Sequence, residues 1–324
     1  MRHATELRSD APLVEPIEED DEVASPKAYE HATVMAREVT DALAPRVGGL
    51  YVDVTLGGGG HSEAILEREP NARVIGLDRD PAALEATSKR LERFGDHFHA
   101  SKATFSELEA ALARFDVNEV DGLVADLGVS SPQLDDAERG MSFRAQGPLD
   151  MRMDPTSGET AAELIHRLSS DELADVIYHY GEERRSRRIA RCVKQADEAG
   201  ELGTTLDLRR AVVRAVGPAR IGGVDPATRT FQAIRIAVNR ELDEIESLLA
   251  VCKRVVRPGG VIAIISFHSL EDRLVKRATH ERDAWEPLTK KPVAPTDEEC
   301  AKNPRARSAK LRAARRVSSR EGTE

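Results

Sequence analysis

Long apolar runs are absent from this 324-residue chain. None approaches the roughly 20 residues that a membrane helix needs, so no membrane partner is expected. The N-terminus has no signal-peptide core, and a cytoplasmic protein is expected. Cysteine is scarce. Cys192, Cys252 and Cys300 stand far apart without metal-type spacing, so no metal is expected. Cys252 lies in an apolar helical stretch and reads as a core residue rather than a reactive thiol. Positive charge is in deficit, with a net charge of −10, which at first argues against a nucleic-acid partner. Its distribution reverses that. Residues 15–22 form an acidic block, whereas Arg184 to Arg191 and Lys302 to Arg316 are strongly basic. Local basic faces suit an anionic polymer as substrate.

What is present is a strand–helix alternation long enough for one large or two modest domains. Residues 1–28 are acidic and aperiodic and read as a disordered extension. Order is expected from Tyr29, with an amphipathic helix from His31 to Leu43. Strands are expected over 50–56, 73–78, 97–100 and 120–127, with helices between them, which predicts a parallel, doubly wound sheet. From about Ser131 to Asp225 the pattern is helical, with Ser170 as a helix start. One long helix is then expected over 228–256, a turn at Pro258-Gly259-Gly260, a fifth strand over 261–266, and a closing strand within 308–317. The fold class is therefore α/β, a Rossmann-like domain (29–131 and 226–324) with an inserted helical domain (132–225).

Four glycines, Gly57 to Gly60, follow the first strand and open a helix. Such a run suits backbone that must approach a ligand closely. Asp78 ends the second strand, where a carboxylate accepts hydrogen bonds from ribose hydroxyls. The pair serves NAD, FAD or S-adenosylmethionine alike, and the bland reading of Asp78 is a cap on the helix at Pro81. The dinucleotide pattern G-x-G-x-x-G fails, since Ser62 or Glu63 stands at its third glycine, and G-K-[ST] is missing. An NAD-dependent oxidoreductase is disfavoured on that ground. Asp53, just before the loop, is awkward beside a pyrophosphate and favourable beside a sulfonium cation. The loop thus favours S-adenosylmethionine. His61 opens the helix, either bonding the cofactor or simply solvated.

Asp126 ends the fourth strand, followed by Leu127-Gly128-Val129-Ser130-Ser131-Pro132-Gln133. Acceptors here would restore the nucleophilicity of a nucleobase amine by bonding its N–H groups; the plain alternative is a loop leaving a strand. Phe143, Met151 and Met153 suggest a base-binding lid, against a folded-over loop that buries its methionines. Arg184, Arg187, Arg188 and Arg191 share a helix face suited to phosphate, with an ion-paired face as the alternative. The tail 303–312 is basic without interleaved aromatics. His268 and Asp272 raise a metal or hydrolase dyad, but no nucleophile elbow is present, and a wall of the site is the better reading.

Several blocks in family order, above all Asp126 to Gly140 ("DLGVSSPQLDDAERG") and Gly147 to Asp154 ("GPLDMRMD"), resemble the bacterial 16S rRNA (cytosine-N4)-methyltransferase family, RsmH or MraW. The resemblance runs from about His31 to the end. It implies methyl transfer from S-adenosylmethionine to the N4 of a cytidine in the decoding region of 16S rRNA within the small subunit. A homodimer is compatible with it. It also implies cofactor contacts at Gly59, Gly60, His61, Asp78, Phe105, Asp126 and Gln133; the acceptors of the loop after the fourth strand make Asp126 and Ser131 the catalytic candidates. The chain departs from the family's usual residues at Thr33, Met141 and Asp225. A non-catalytic RNA-binding protein that only holds the cofactor is the remaining alternative.

Overall fold

A computed structural model describes residues 33–218 and 224–318. The acidic extension at 1–28 and the helix start at His31 lie outside the described residues. The strands are β1 Leu50–Asp53, β2 Arg73–Asp78, β3 Phe98–Lys102, β4 Val120–Asp126, β5 Val256–Ser266, β6 Trp285–Pro287 and β7 Lys310–Arg316. They form one sheet in the order β3-β2-β1-β4-β5-β7-β6. The first five are parallel, and β7 lies antiparallel between β5 and β6. β1 is buried throughout and β5 is buried from Gly260 onward, as strands covered on both faces should be.

Alternate residues of the strands feed two cores. Val52, Leu123, Ile262 and Ile264 pack with Leu108, Leu112, Leu248 and Cys252 from helices Leu108–Ala113 and Glu241–Val255. Tyr51, Val74, Val124 and Ile265 pack on the other side with Val39, Ile65 and Leu91. A third cluster runs from Met141 to Ile234 and collects the helices between them, including Ser170–Gly181, Ser186–Glu198 and Thr205–Val216. Cys252 is fully buried, and burial pushes its thiol up to about 12, in keeping with a core role. No helix among the described residues is long and apolar enough to cross a membrane.

Several local expectations are corrected. The long helix expected over 228–256 is two, Thr228–Asn239 and Glu241–Val255, broken where Arg240 takes a left-handed conformation at φ 50°. The turn expected at Pro258-Gly259-Gly260 is a bulge inside β5. Val256 pairs with Val120, and pairing resumes only at Val261 with Gly122. Ser169, not Ser170, caps its helix, in a capping box with Glu172. The loop after β4 contains a short helix, Ser131–Asp135, and the three-residue β6 carries no alternation from which to read it.

The break at Arg240 has a cause next door. Asn239 is buried, and its side chain serves the loop around Met151 and Met153 rather than its own helix alone. Its Oδ1 accepts the Met153 N–H at 2.7 Å, and its Nδ2 donates to the carbonyls of Met151 (2.8 Å) and Arg235 (2.9 Å). Asn239→Ala would leave two buried backbone groups without partners, each costing on the order of 1–3 kcal/mol. A loss of roughly 2–4 kcal/mol in urea unfolding is expected; a change below about 0.5 kcal/mol would show that the clamp is idle.

Candidate active site

The carboxyl ends of β2, β1, β4 and β5 lie side by side, and the chain reverses its winding direction between β1 and β4. Ligands of open α/β sheets bind at such a switch point. The glycine loop rises there. Gly57 and Gly59 have φ of 46° and 77°. A Cβ on Gly59 would stand 2.5 Å from the Thr87 methyl, and one on Gly60 would stand 1.6 Å from Thr33 Oγ1. Thr33 therefore sits directly against the loop. The Gly57 and Gly58 carbonyls accept from Thr87 Oγ1 and Arg90, so the loop is tied back to helix Pro81–Leu91.

Asp78 is half-buried and holds the turn from β2. Its Oδ2 accepts the Gly57 N–H at 2.8 Å and its Oδ1 the Asp80 N–H at 2.9 Å. Each oxygen keeps a further lone pair. Burial pushes its pKa up to about 6, against the pull of those two hydrogen bonds. The cap on the helix at Pro81 is supplied by Asp80, whose Oδ1 accepts the Ala82 N–H at 3.1 Å. Asp78 is thus free of that duty.

Asp53 does not line the crevice. It is fully buried behind the loop, where it accepts Ser62 Oγ at 2.9 Å and the Thr55 N–H at 3.2 Å. The sequence argument from a carboxylate beside a sulfonium is corrected: Asp53 anchors the start of helix Gly60–Arg68. Burial raises its pKa, opposed by His61 and Ser62.

His61 is 4% exposed and is not the solvated loop histidine that the plain reading offered. Its Nε2 lies 3.7 Å from Asp126 Oδ2, an ion-pair distance too long for a hydrogen bond. Among the described residues neither ring nitrogen of His61 has a hydrogen-bond partner, nor does Asp126 Oδ1, although all three atoms are buried. Burial works against the imidazolium, but Asp126 and Asp53 outweigh it and the pKa is raised. Buried polar atoms without partners are costly, so their concentration at one switch point marks a place for a ligand.

Gln133 is buried and fully engaged. Its Oε1 accepts the Ser130 N–H at 3.1 Å, and its Nε2 donates to Asp80 Oδ2 at 3.0 Å. Ser130 caps the helix, and Ser131 is its half-buried first residue. Phe105 follows β3, whose exit is tied to the Asp78 carbonyl by the Ala103 N–H at 3.0 Å, and is partly buried in a turn that Glu244 pins through Ser106. The structure thus brings Gly57, Asp78, His61 and Asp126 around one crevice, with Gly59 and Gly60 in its wall. Gln133 supports it, and Phe105 follows β3, the strand that pairs with the end of β2.

Sequence reasoning missed Asp80 and Arg139. Asp80 Oδ2 accepts from Gln133 and, at 2.7 Å, from Arg139, whose other nitrogen donates to the Met153 carbonyl at 2.7 Å. The repeated carboxylate of Asp78-Arg79-Asp80 was the available signal. His268 and Asp272 do not pair: His268 meets Glu271, and Asp272 takes Arg312 at 2.7 Å. Met151 and Met153 are buried and Phe143 packs edge-on against Phe231, so the folded-over loop replaces the base-binding lid. Of the positions where the chain departs from the family, Met141 is core and Asp225 pairs with Arg209 at 2.9 Å.

This sheet order and this loop at its carboxyl edge define a Rossmann-like, S-adenosylmethionine-dependent methyltransferase. The crevice fits that cofactor, with an Asp78 carboxylate that has lone pairs to spare beside the glycine loop, and orphaned polar atoms on His61 and Asp126. The chain belongs to the MraW methylase family, whose model matches residues 28–317. It is 67% identical to the ribosomal RNA small subunit methyltransferase H of Sorangium cellulosum, over 90% of this chain and 92% of that one. It is 50% identical to the protein of that name from Synechococcus elongatus, over 90% and 96%. Among solved structures, an rRNA methylase from Streptococcus thermophilus is similar at 12% identity with a TM-score of 0.38, covering 87% of this chain and 94% of that one.

In Asp126→Asn the anion facing His61 is gone and burial dominates, so the His61 ring should titrate at lower pH than in the parent protein. Ring-nitrogen NMR across pH 4–9 reads this directly, and an unmoved titration would refute the coupling.

Proposed function

We propose that this protein methylates the N4 amine of a cytidine in the decoding region of 16S rRNA in the small ribosomal subunit. The observation that carries the reading is the buried, partnerless Asp126 Oδ1 at the switch point, beside the glycine loop. The names of the relatives support small-subunit rRNA as the polymer, and the match of the Asp126 block to the cytosine-N4 family supports the target amine.

When bound, S-adenosylmethionine supplies an electrophilic methyl group on a sulfonium. Asp78 would accept the ribose hydroxyls with its spare lone pairs, Phe105 would pack beside the adenine, and Gly59 and Gly60 would let backbone approach. Gln133 acts by holding Ser130 and Asp80 in place. An exocyclic amine is a poor nucleophile because its lone pair is delocalised into the ring. Asp126 Oδ1 accepts one of its N–H bonds, returns electron density to nitrogen, and takes the proton that the amine sheds as its new N–C bond forms. His61 faces Asp126 from 3.7 Å, and Ser131 orients the base from the helix start. Residues 132–225 are the substrate-side portion of this reading, and their described part packs in a cluster that continues into Ala227, Phe231 and Ile234.

Mass mapping of small-subunit rRNA from cells lacking the gene should show the N4-methylcytidine signal lost and restored by the wild-type copy. An unchanged signal would sink the proposal. Asp78→Ala should weaken cofactor binding by about tenfold or more in calorimetry, through loss of charge-assisted hydrogen bonds of about 1.5–3 kcal/mol. The wild-type affinity should also fall as pH drops through about 6. The carboxylate form accepts the hydroxyls, so below its pKa each binding event must first expel a proton. Asp78→Ala should flatten that part of the profile, and a wild-type affinity independent of pH between 5 and 7.5 would exclude Asp78 as the ribose acceptor.

A further inference from the structure

A second surface gathers local positive charge. It is a cleft between the end of helix Ser170–Gly181 and the start of helix Ser186–Glu198, lined by Tyr178, His179, Arg184, Arg185, Arg188 and Arg191. The protein as a whole carries a charge of −10, so this concentration needs a local cause. Internal neutralisation does not supply one. Arg187 reaches Asp171 at 3.2 Å and Arg185 lies 3.5 Å from Glu183, but Arg184 and Arg188 are exposed and have no carboxylate partner among the described residues. Among the described residues Asp175 is the one carboxylate lining the cleft.

The aromatic part is equally unspent. Tyr178 is 52% exposed, one of few large apolar side chains on this surface, and its ring stands edge-on to His179 at 5.2 Å. Guanidinium groups beside open ring faces bind phosphate and stack on bases at once. The cleft is preformed. Gly181, where the first helix ends, is packed so closely that a Cβ would stand 2.6 Å from the Arg229 carbonyl. Glu182 then turns left-handed at φ 49°, and its carboxylate accepts Ser269 Oγ at 2.6 Å and Arg273 at 3.1 Å. Ser269 is the first residue of the helix that follows β5, so this bond fastens the basic cleft to the carboxyl edge of the sheet.

We infer that this cleft is a clamp for single-stranded RNA flanking the target nucleotide: Arg184 and Arg188 hold phosphates and Tyr178 stacks on a base. The inference rests on the rRNA reading above and names the part of the protein that grips the polymer outside the crevice.

The test uses the full chain with purified small subunits and, separately, with naked 16S rRNA, both from cells lacking the gene. The double variant Arg184→Gln, Arg188→Gln should bind both about tenfold more weakly near physiological salt and should lower the slope of log K against log salt by about 1.5, since each phosphate contact on a single strand contributes about 0.7 and on a duplex about 0.9. Tyr178→Ala should weaken binding with the slope unchanged. Cofactor affinity should stay at the parent value in every variant. Parent-like RNA affinity and slope in the double variant would overturn the clamp. A loss on subunits but not on naked RNA would overturn it too, by assigning the cleft to a protein surface of the subunit. A parent chain that binds neither would overturn both the clamp and the rRNA reading, whereas parent binding with unaffected variants would overturn the clamp alone.

Discussion

The Asp80 carboxylate is the joint on which this site depends. It is 2% exposed, and its two oxygens serve the N-terminus of a helix, the Gln133 amide and the Arg139 guanidinium. A buried charge is tolerated only when its partners are complete, and losing one partner of such a pair costs about 3–5 kcal/mol. The consequence is geometric. β2 and its Asp78 cannot shift without pulling on the helix after Asp126, because Gln133 holds both. Arg139 extends the coupling to the backbone of Arg152 and Met153. The end of β2 and the segment after β4 are thereby held together by one buried carboxylate.

The opposite wall, beyond β5, is built in the same manner. Arg235 holds both oxygens of Glu241, while Glu271 receives the Phe267 and His268 N–H groups and faces the His268 ring at 3.0 Å. The ligand atoms of Glu241, His268 and Glu271 lie within 4.8 Å of one another, a spacing that would suit a metal. The Arg235 guanidinium already occupies Glu241, however, and the group is better described as a buried ion-pair cluster. A Cβ on Gly128 would stand 3.9 Å from Glu271 Oε1, so this cluster backs the loop that follows β4.

Much of the architecture was legible because its causes are local. Three of the five parallel strands, β1, β2 and β4, are short apolar runs ending in carboxylates, and Asp78 and Asp126 were placed by that rule, whereas β3 ends in Lys102 and β5 in Ser266. The features that were not legible depend on contacts between distant segments. Asp53 looked like a crevice residue because its neighbours in sequence are crevice residues, and only the packing of Ser62 shows that it faces inward. The break at Arg240 follows from a loop some 86 residues earlier that recruits Asn239. Asp80 and Arg139, 59 residues apart, have no periodicity or spacing to connect them. The arginine face was visible as composition, but which guanidiniums lack partners is settled by the positions of Asp171 and Glu183.

The place of β7 has a bearing on how this molecule comes into being. It is the last of the seven strands along the chain, yet it occupies an interior position, with β5 on one side and β6 on the other. During synthesis, therefore, the outer edge of β5 has no mate until residues 310–316 have emerged, and β6 has nothing to pair with at all. An unpaired, apolar strand edge invites association with other chains. The nascent protein passes through its most aggregation-prone state late, after the crevice-forming strands have been made, so a chain that stalls shortly before β7 would carry a nearly complete active site on a sheet that has not yet been closed.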